Sequence, residues 1–526
     1  MAADQRLSAL GQALGGTLDR LDGMLAQLPD GSDPDTYRPN IPATYLRLHK
    51  GVGRSPDVVL RPLAVPACAG TVLIAYVEGL VDLKSVDGEV VAPLMTTRRP
   101  PSTWGRAVLP LGTVRALRTW DEILGDLLSG HTLVFAPGSA VAWSAPTADP
   151  PARSIDRPVT EAVSRGPDEA FTEALGTQIG QVRRYLGTPA LQVRTLGVGD
   201  AFGKVAVVYL ESLANPALVD TVLGRLGRVT GRLRPTATAI AGAIRDHPRS
   251  IFPTVRSTER VGFVIGALAQ GKVAILVDGD PFALLVPAPL ADFYRTEQDD
   301  TGAWPDASFV RVIRFVGWAM GVYLPALFVA VTQVNPNVIP MSLLITFAGS
   351  RAGLPATPLA EVVVMILILE TLREAAFRLP KVLGTTIGTV GAIVVGTSVV
   401  SAGIVSPQVI VVITLTALSF FTAPVYELTG TWRLVNLAML LTAAYLGVVG
   451  IVLTTMLVLS EITSMTSFGV PYFAPWAPLR LREWADTLLR LPWQSLRWRP
   501  ADPRPLDRTL PPLPRRGVPD LRPNPR

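Results

Sequence analysis

The chain has 526 residues and a formal net charge of +6; 49% of its residues are hydrophobic and 17% charged. The charged share falls below the roughly 25% usual for soluble domains, which argues against a wholly soluble chain and puts part of it in a bilayer. So small a net charge gives no reason to expect a nucleic-acid partner, the lone Cys68 excludes an intrachain disulfide, and His49, His131 and His247 lack metal-ligand spacing.

Residues 1–50 form a helical and linker segment. Leu7, Leu10, Leu14, Leu18 and Leu21 recur at spacings of three and four, and Asp19, Arg20 and Asp22 interrupt any apolar core of a signal peptide. This amphipathic helix packs on its own domain or lies on a membrane. Residues 51–308 read as an α/β region of two subdomains, 51–150 and 151–308. Strand runs TVLIAYVEGLV (71–81), KVAVVYLESL (204–213) and KVAILVDGDPFALLVPA (272–288) alternate with helical patterns at 168–186 and 215–229, which suggests mixed sheets with helices packed on them. SAPTADPPARSIDRP at 144–158 is the candidate boundary. VDGDP at 277–281 reads as a hairpin turn. GVGDAFG at 197–203 lacks dinucleotide-fingerprint spacing. In EAVSRGPDEAFTE, Asp168 or a residue just before it is expected to cap a helix carrying Glu169 and Glu173 in its first turns, with Arg165 as a pairing partner.

Composition shifts near residue 309, where an all-α polytopic membrane domain (309–475) is expected. Charge-free runs fall at 315–332, 384–404, 408–425 and 434–459, while 338–350 is too short to span. Arg311 and Arg314 place the preceding region on the cytoplasmic side, and Arg351, Arg373, Arg378, Lys381 and Arg433 fall in the connections. The tail 476–526 holds eleven Arg, eleven Pro and five acidic residues. It reads as a cytoplasmic, disordered segment resting against anionic lipid. One difficulty follows: a single crossing at 434–459 would leave that tail on the opposite side.

Two membrane segments carry possible function. In 358–378, Glu370 and Arg373 are three apart and Glu374 and Arg378 four apart, so each charge has a local partner. The cluster either marks where a helix emerges at the cytoplasmic face or couples the soluble region to the next helix. In that next helix, Thr386, Thr389, Ile393, Thr397 and Ser401 share one face. Gly384, Gly388 and Gly391 lie on the opposite face, suited to close helix packing. Several copies around an axis would give a hydroxyl-lined pore with Ile393 as a dewetting constriction. Alternatively the hydroxyls bond back to their own helix. No HExxH, Walker lysine or Ser-His-Asp pattern appears, so no cofactor and no enzymatic activity are expected.

The run VNPNVIPMSLLITFAGSRAGLPATPLAEVVVMILILETLREAAFRLPKVLGTTIGTVGAIVVG resembles the membrane domain of the A subunit of bacterial spore germinant receptors, the GerA family. The likeness extends to SPDVVLR with Asp57 and Arg61. It includes EAVSRGPDEAFTE with Glu161, Arg165, Gly166 and Pro167, SIFPTVRSTER with Glu259 and Arg260, and FGVPYFAPWAP. It spans about residues 54–478. Val261 and Gly262 replace a frequent Pro-Asp, and Thr397 and Ser401 stand where Gln and Glu are frequent. The resemblance implies an integral protein of the spore inner membrane with a cytoplasmic N-terminal region. It implies a homo-oligomeric ion channel working with a transporter-like B subunit and a lipoprotein C subunit. A non-conducting scaffold for those subunits, or an accessory sporulation channel of the stage V type, are the alternatives.

Overall fold

The computed structural model describes residues 35–510, apart from 69, 150–157, 159–160, 162–166, 199–202, 230–235, 352, 379–397, 488, 493–494 and 496–497. The expected N-terminal amphipathic helix therefore lies outside the described residues. So do Gly384, Thr386, Gly388, Thr389, Gly391, Ile393 and Thr397, together with Arg165 and Gly166.

Two five-stranded sheets organise the α/β region. The first holds β1 (Val58–Ala64), β2 (Thr71–Val77), β3 (Arg115–Leu117), β4 (Thr132–Phe135) and β5 (Ala142–Ala145), in the order β1-β2-β4-β5-β3. The second holds β6 (Leu191–Val198), β7 (Gly203–Leu210), β8 (Arg256–Thr258), β9 (Val273–Val277) and β10 (Asp280–Val286), in the order β6-β7-β9-β10-β8. Every pairing in both is antiparallel. The two orders are the same pattern shifted by five strands. TVLIAYVEGL and KVAVVYLESL occupy the equivalent second strands, so the region is an internal repeat that the sequence reading passed over.

Both faces of each sheet are covered, which is why the central strands are apolar without alternation. On the second sheet, Val205, Val207 and Ile275 pack under the helices Pro216–Leu226 and Ala237–Ile244. On the other face Ala206, Val208 and Leu276 pack under Leu175–Tyr185 and Val261–Ala269. The helix expected across 168–186 starts only at Leu175, after Ala174, which makes no side-chain cap. Asp168 is thus not a cap. Instead the turn carboxylate of Asp278 accepts the Leu175 N–H at 3.2 Å, and Gly279 beside it takes φ 82° in the expected hairpin turn.

The helical region follows. Trp304–Val334 is the one described helix long and apolar enough to cross a bilayer by length and composition. It contains Pro325, which cannot donate to Gly321 O. Asn436 from the helix Tyr426–Leu446 donates its side-chain amide to Gly321 O and Val322 O, each at 2.9 Å, and so satisfies the freed carbonyl. The helices Pro358–Arg378 and Pro407–Phe421 pack beside it, around Val362, Met365, Val409 and Ile413. The second of these has 15 residues, roughly 22 Å of rise, less than a hydrocarbon core of about 30 Å.

The 434–459 run is not one crossing. Gly447 (φ 62°, ψ −140°) breaks it into Tyr426–Leu446 and Val448–Ser464. A Cβ at Gly447 would stand 1.8 Å from Asn335 Oδ1, whose oxygen accepts the Val448 N–H at 3.0 Å. The hydroxyls of Thr442 and Thr454 then meet at 2.7 Å across an antiparallel helical hairpin. After the hairpin the chain returns to the second sheet's subdomain, where Ser467 Oγ donates to Thr254 O at 2.7 Å.

Candidate functional site at the soluble–helical junction

Three elements meet at the base of the long helix: the segment Leu290–Thr301, the helix itself, and a C-terminal strap from Leu481 to Thr509. Arg311 and Arg314, expected to mark the cytoplasmic side, are 2% and 9% exposed. Asp299 binds both. Arg314 Nη1 donates to its two carboxylate oxygens at 2.9 and 2.8 Å, and Arg311 Nε to one at 3.1 Å. Arg311 Nη1 also donates to Asp486 O at 2.7 Å, and Arg295 Nη2 to Asp486 Oδ2 at 3.0 Å. Arg490 then bridges Asp486 and Asp300, the latter at 2.9 Å, while its N–H donates to Ser308 Oγ at 2.9 Å. Burial pushes the Asp299 and Asp486 carboxyls up, but the surrounding guanidinium groups outweigh it and hold both below the ordinary carboxylate range.

The described residues of the strap dock on the protein, against the expectation of a disordered segment, while 511–526 lie outside the described residues. Arg499 Nε donates to Ala269 O at 2.9 Å, the Leu506 N–H donates to Leu213 O at 2.9 Å, and Arg480 Nη1 meets Asp502 Oδ1 at 2.6 Å. Arg490 and Arg499 are spent on protein carboxylates and carbonyls. Asp502 is 6% exposed, and burial, reinforced by nearby Glu483, raises its carboxyl to about 6 despite Arg480.

Within the helices, Glu370 and Arg373 pair at 3.1 Å as expected. Arg433, read as a connection residue, sits inside the helix Tyr426–Leu446 and reaches Glu370 at 2.9 Å. The cluster therefore ties two helices together. Glu374 is exposed, and Arg378 ends the helix Pro358–Arg378. Ser401 is exposed beside the turn that leads to Ser406. One acidic residue was missed. Glu361, 1% exposed, accepts from Ser406 N and Oγ at 2.8 Å each and pairs with Arg351 at 3.0 Å. A carboxylate there also faces the N-terminus of Pro407–Phe421. A Glu set in the apolar first half of the helix was the available signal.

The model of the Bacillus/Clostridium GerA spore germination protein family matches residues 46–502. The chain belongs to the GerA family. Spore germination protein KA of Bacillus subtilis (strain 168) is 32% identical over 89% of this chain and 87% of that relative. Spore germination protein B1 of the same strain is 32% identical over 88% and 96%. The crystal structure of the N-terminal domain of the A subunit of the Bacillus megaterium spore germinant receptor GerK3 is 24% identical. It covers 49% of this chain and 98% of that one with a TM-score of 0.39.

The residues that carried the resemblance fall into two groups. Asp57 and Arg183 form a buried bidentate pair at 2.7 and 3.1 Å, joining the two sheets' subdomains, with Ser55 accepting the Val193 N–H at 2.9 Å beside it. Arg61 is exposed on β1 and reaches Asp87 at 3.3 Å. Glu161, Pro167, Glu259 and Arg260 converge on the second sheet's edge. Arg260 donates to Glu161 O at 2.7 Å, to Pro167 O at 2.5 Å and to Glu297 at 2.6 Å, and Glu259 accepts the Glu161 N–H at 3.0 Å. A Cβ at Gly262 would lie 1.8 Å from Glu297 Oε1, so the glycine leaves the space in which Glu297 meets Arg260. Between these residues, Arg314 and the 421–424 turn lies a polar cavity of about 320 Å³, roomy enough for water.

Proposed function

We propose that this chain is the membrane subunit of a spore germinant receptor that oligomerises into an ion-conducting channel. It opens when partner subunits of the transporter-like B and lipoprotein C types sense nutrient. The observation that carries this reading is the family match across soluble and helical regions alike, joined to a junction where both regions share buried ion pairs. In this reading the spore inner membrane holds the helices of 309–475, and the α/β repeat and strap face the cytoplasm. Movement of the repeat against the base of the long helix is transmitted through Asp299 and Asp486. The segment 384–404 supplies the wall, with Thr386, Thr389, Thr397 and Ser401 toward solvent and Ile393 at the constriction.

Purified full-length protein in planar bilayers tests the conduction step. With Cys68 replaced, Thr397→Cys becomes reactive to an aqueous thiol reagent only while current flows. Protection of positions 386, 389, 397 and 401 alike, without current, would instead identify a non-conducting scaffold. Deletion of the gene is expected to abolish nutrient-triggered ion release from spores.

A further inference from the structure

A second cavity, of about 270 Å³, lies just above the junction between the long helix and the helical hairpin. Its wall is almost wholly apolar and unusually aromatic. Phe315, Trp318 and Tyr323 come from the long helix, Trp432 from the first arm of the hairpin, and Phe473 and Trp476 from the loop after it. Trp318 and Trp432 stand edge-to-face at 5.0 Å, and Phe315 and Trp476 at 5.8 Å, so the rings brace one another rather than fill the space. A dry cavity of about 150 Å³ already holds a benzene-sized guest, so one this large and apolar favours an occupant other than water.

Three observations say what the occupant is. The mouth lies at Leu459, which lines the cavity and is 43% exposed. Val452 and Met456, 51% and 63% exposed, continue from it at helical spacing, so the opening gives onto an outward apolar stripe. Trp318, Tyr323 and Trp476 in its wall are part-exposed, and Trp and Tyr gather where a bilayer meets water. Finally, the Trp318 indole N–H is buried without an acceptor. A long apolar guest carrying a carbonyl oxygen would satisfy all three.

We propose that this cavity binds one acyl chain of a membrane phospholipid, with the Trp318 N–H available to its ester carbonyl. The assignment rests on the membrane reading above. A chain held there touches the long helix, both hairpin arms and the Phe473–Trp476 loop at once, so lipid occupancy becomes a part of the junction.

The test uses full-length protein in nanodiscs containing a phospholipid with a diazirine in its acyl chain, followed by peptide mapping. Trp432 and Met439 line the floor, at 3% and 1% exposed, whereas Leu453 and Leu457 face outward. Labelling of Trp432 or Met439 along with the outward residues is expected. A Val458→Trp variant, which fills the cavity, should lose the floor labelling and keep the outward labelling, which also reports that it has folded. Outward labelling alone in the parent protein overturns the lipid site while leaving the membrane reading intact. Absence of labelling at both overturns the membrane reading as well.

Discussion

The Asp299–Asp486 junction and the Glu370 cluster contain the same chemistry, carboxylates answered by arginines, in different surroundings. Asp299, Arg311 and Arg314 are buried and fully engaged, whereas the Glu370 side chain is 39% exposed. In the first, any member that left would strand an uncompensated buried charge; the second is part-exposed and screened. The comparison teaches that the rigid connection lies between the α/β repeat, the long helix and the strap, and that the cluster between helices is the adjustable one.

The sharpest way to break that contrast is Asp299→Ala. It leaves two buried guanidinium groups short of a partner and should cost about 3–5 kcal/mol, read as loss of the cooperative thermal transition or of folded yield. Equal tolerance of Asp299→Ala and Glu370→Ala would erase the distinction.

Next in size is the pH response of the strap. The Asp502 carboxyl is raised in the folded chain from 3.8 to about 6, so its contribution to docking is fully present below its unfolded value and lost as pH rises through about 6. That displacement corresponds to roughly 3 kcal/mol. Asp299 and Asp486 are depressed and act in the opposite sense, contributing above the ordinary carboxylate value and losing that contribution on acidification. Limited proteolysis at 481–510 should therefore be slowest in mild acid, and Asp502→Asn should remove the weakening near neutral pH. A profile unchanged in Asp502→Asn would reject this role.

Glu361→Gln should cost about 1–3 kcal/mol, because it removes the charge facing Arg351 and one of two acceptors near Ser406. Faster exchange of amides at the start of Pro407–Phe421 would localise the effect. Smallest is Glu370→Ala, at most about 1 kcal/mol of stability because the pair is part-exposed and screened. Its signature is kinetic: altered opening rates in bilayer recordings with an unchanged melting transition.

Much of the α/β region was legible. The runs at 71–81, 204–213 and 272–288 are strands because uninterrupted Val, Ile, Leu and Tyr suit sheets covered on both faces. The repeat escaped notice because it is carried by strand order rather than by identity. The helix at 168–186 was drawn too long because its start is fixed by Asp278, about a hundred residues away, and not by a local cap. Pairing of Glu370 with Arg373 could be read from spacing, but Arg433 arrives from another helix. Arg311 and Arg314 read only as markers of the cytoplasmic side, because their burial also depends on Asp486, 175 residues from Arg311. The described part of the basic tail misled for the same reason, since it docks through Ala269 O, Leu213 O and Asp300, each far away in sequence. Gly447 was the overlooked clue in the last apolar run, since a positive φ there turns one apparent crossing into two helices.

Hydrogen–deuterium exchange on the full-length protein in nanodiscs tests the junction most directly. Amides of 481–507 should exchange nearly as slowly as those of β9, and Asp486→Ala should release them while the β7–β9 core stays protected. Exchange of that segment at the rate of an unstructured peptide in the parent protein would contradict the account.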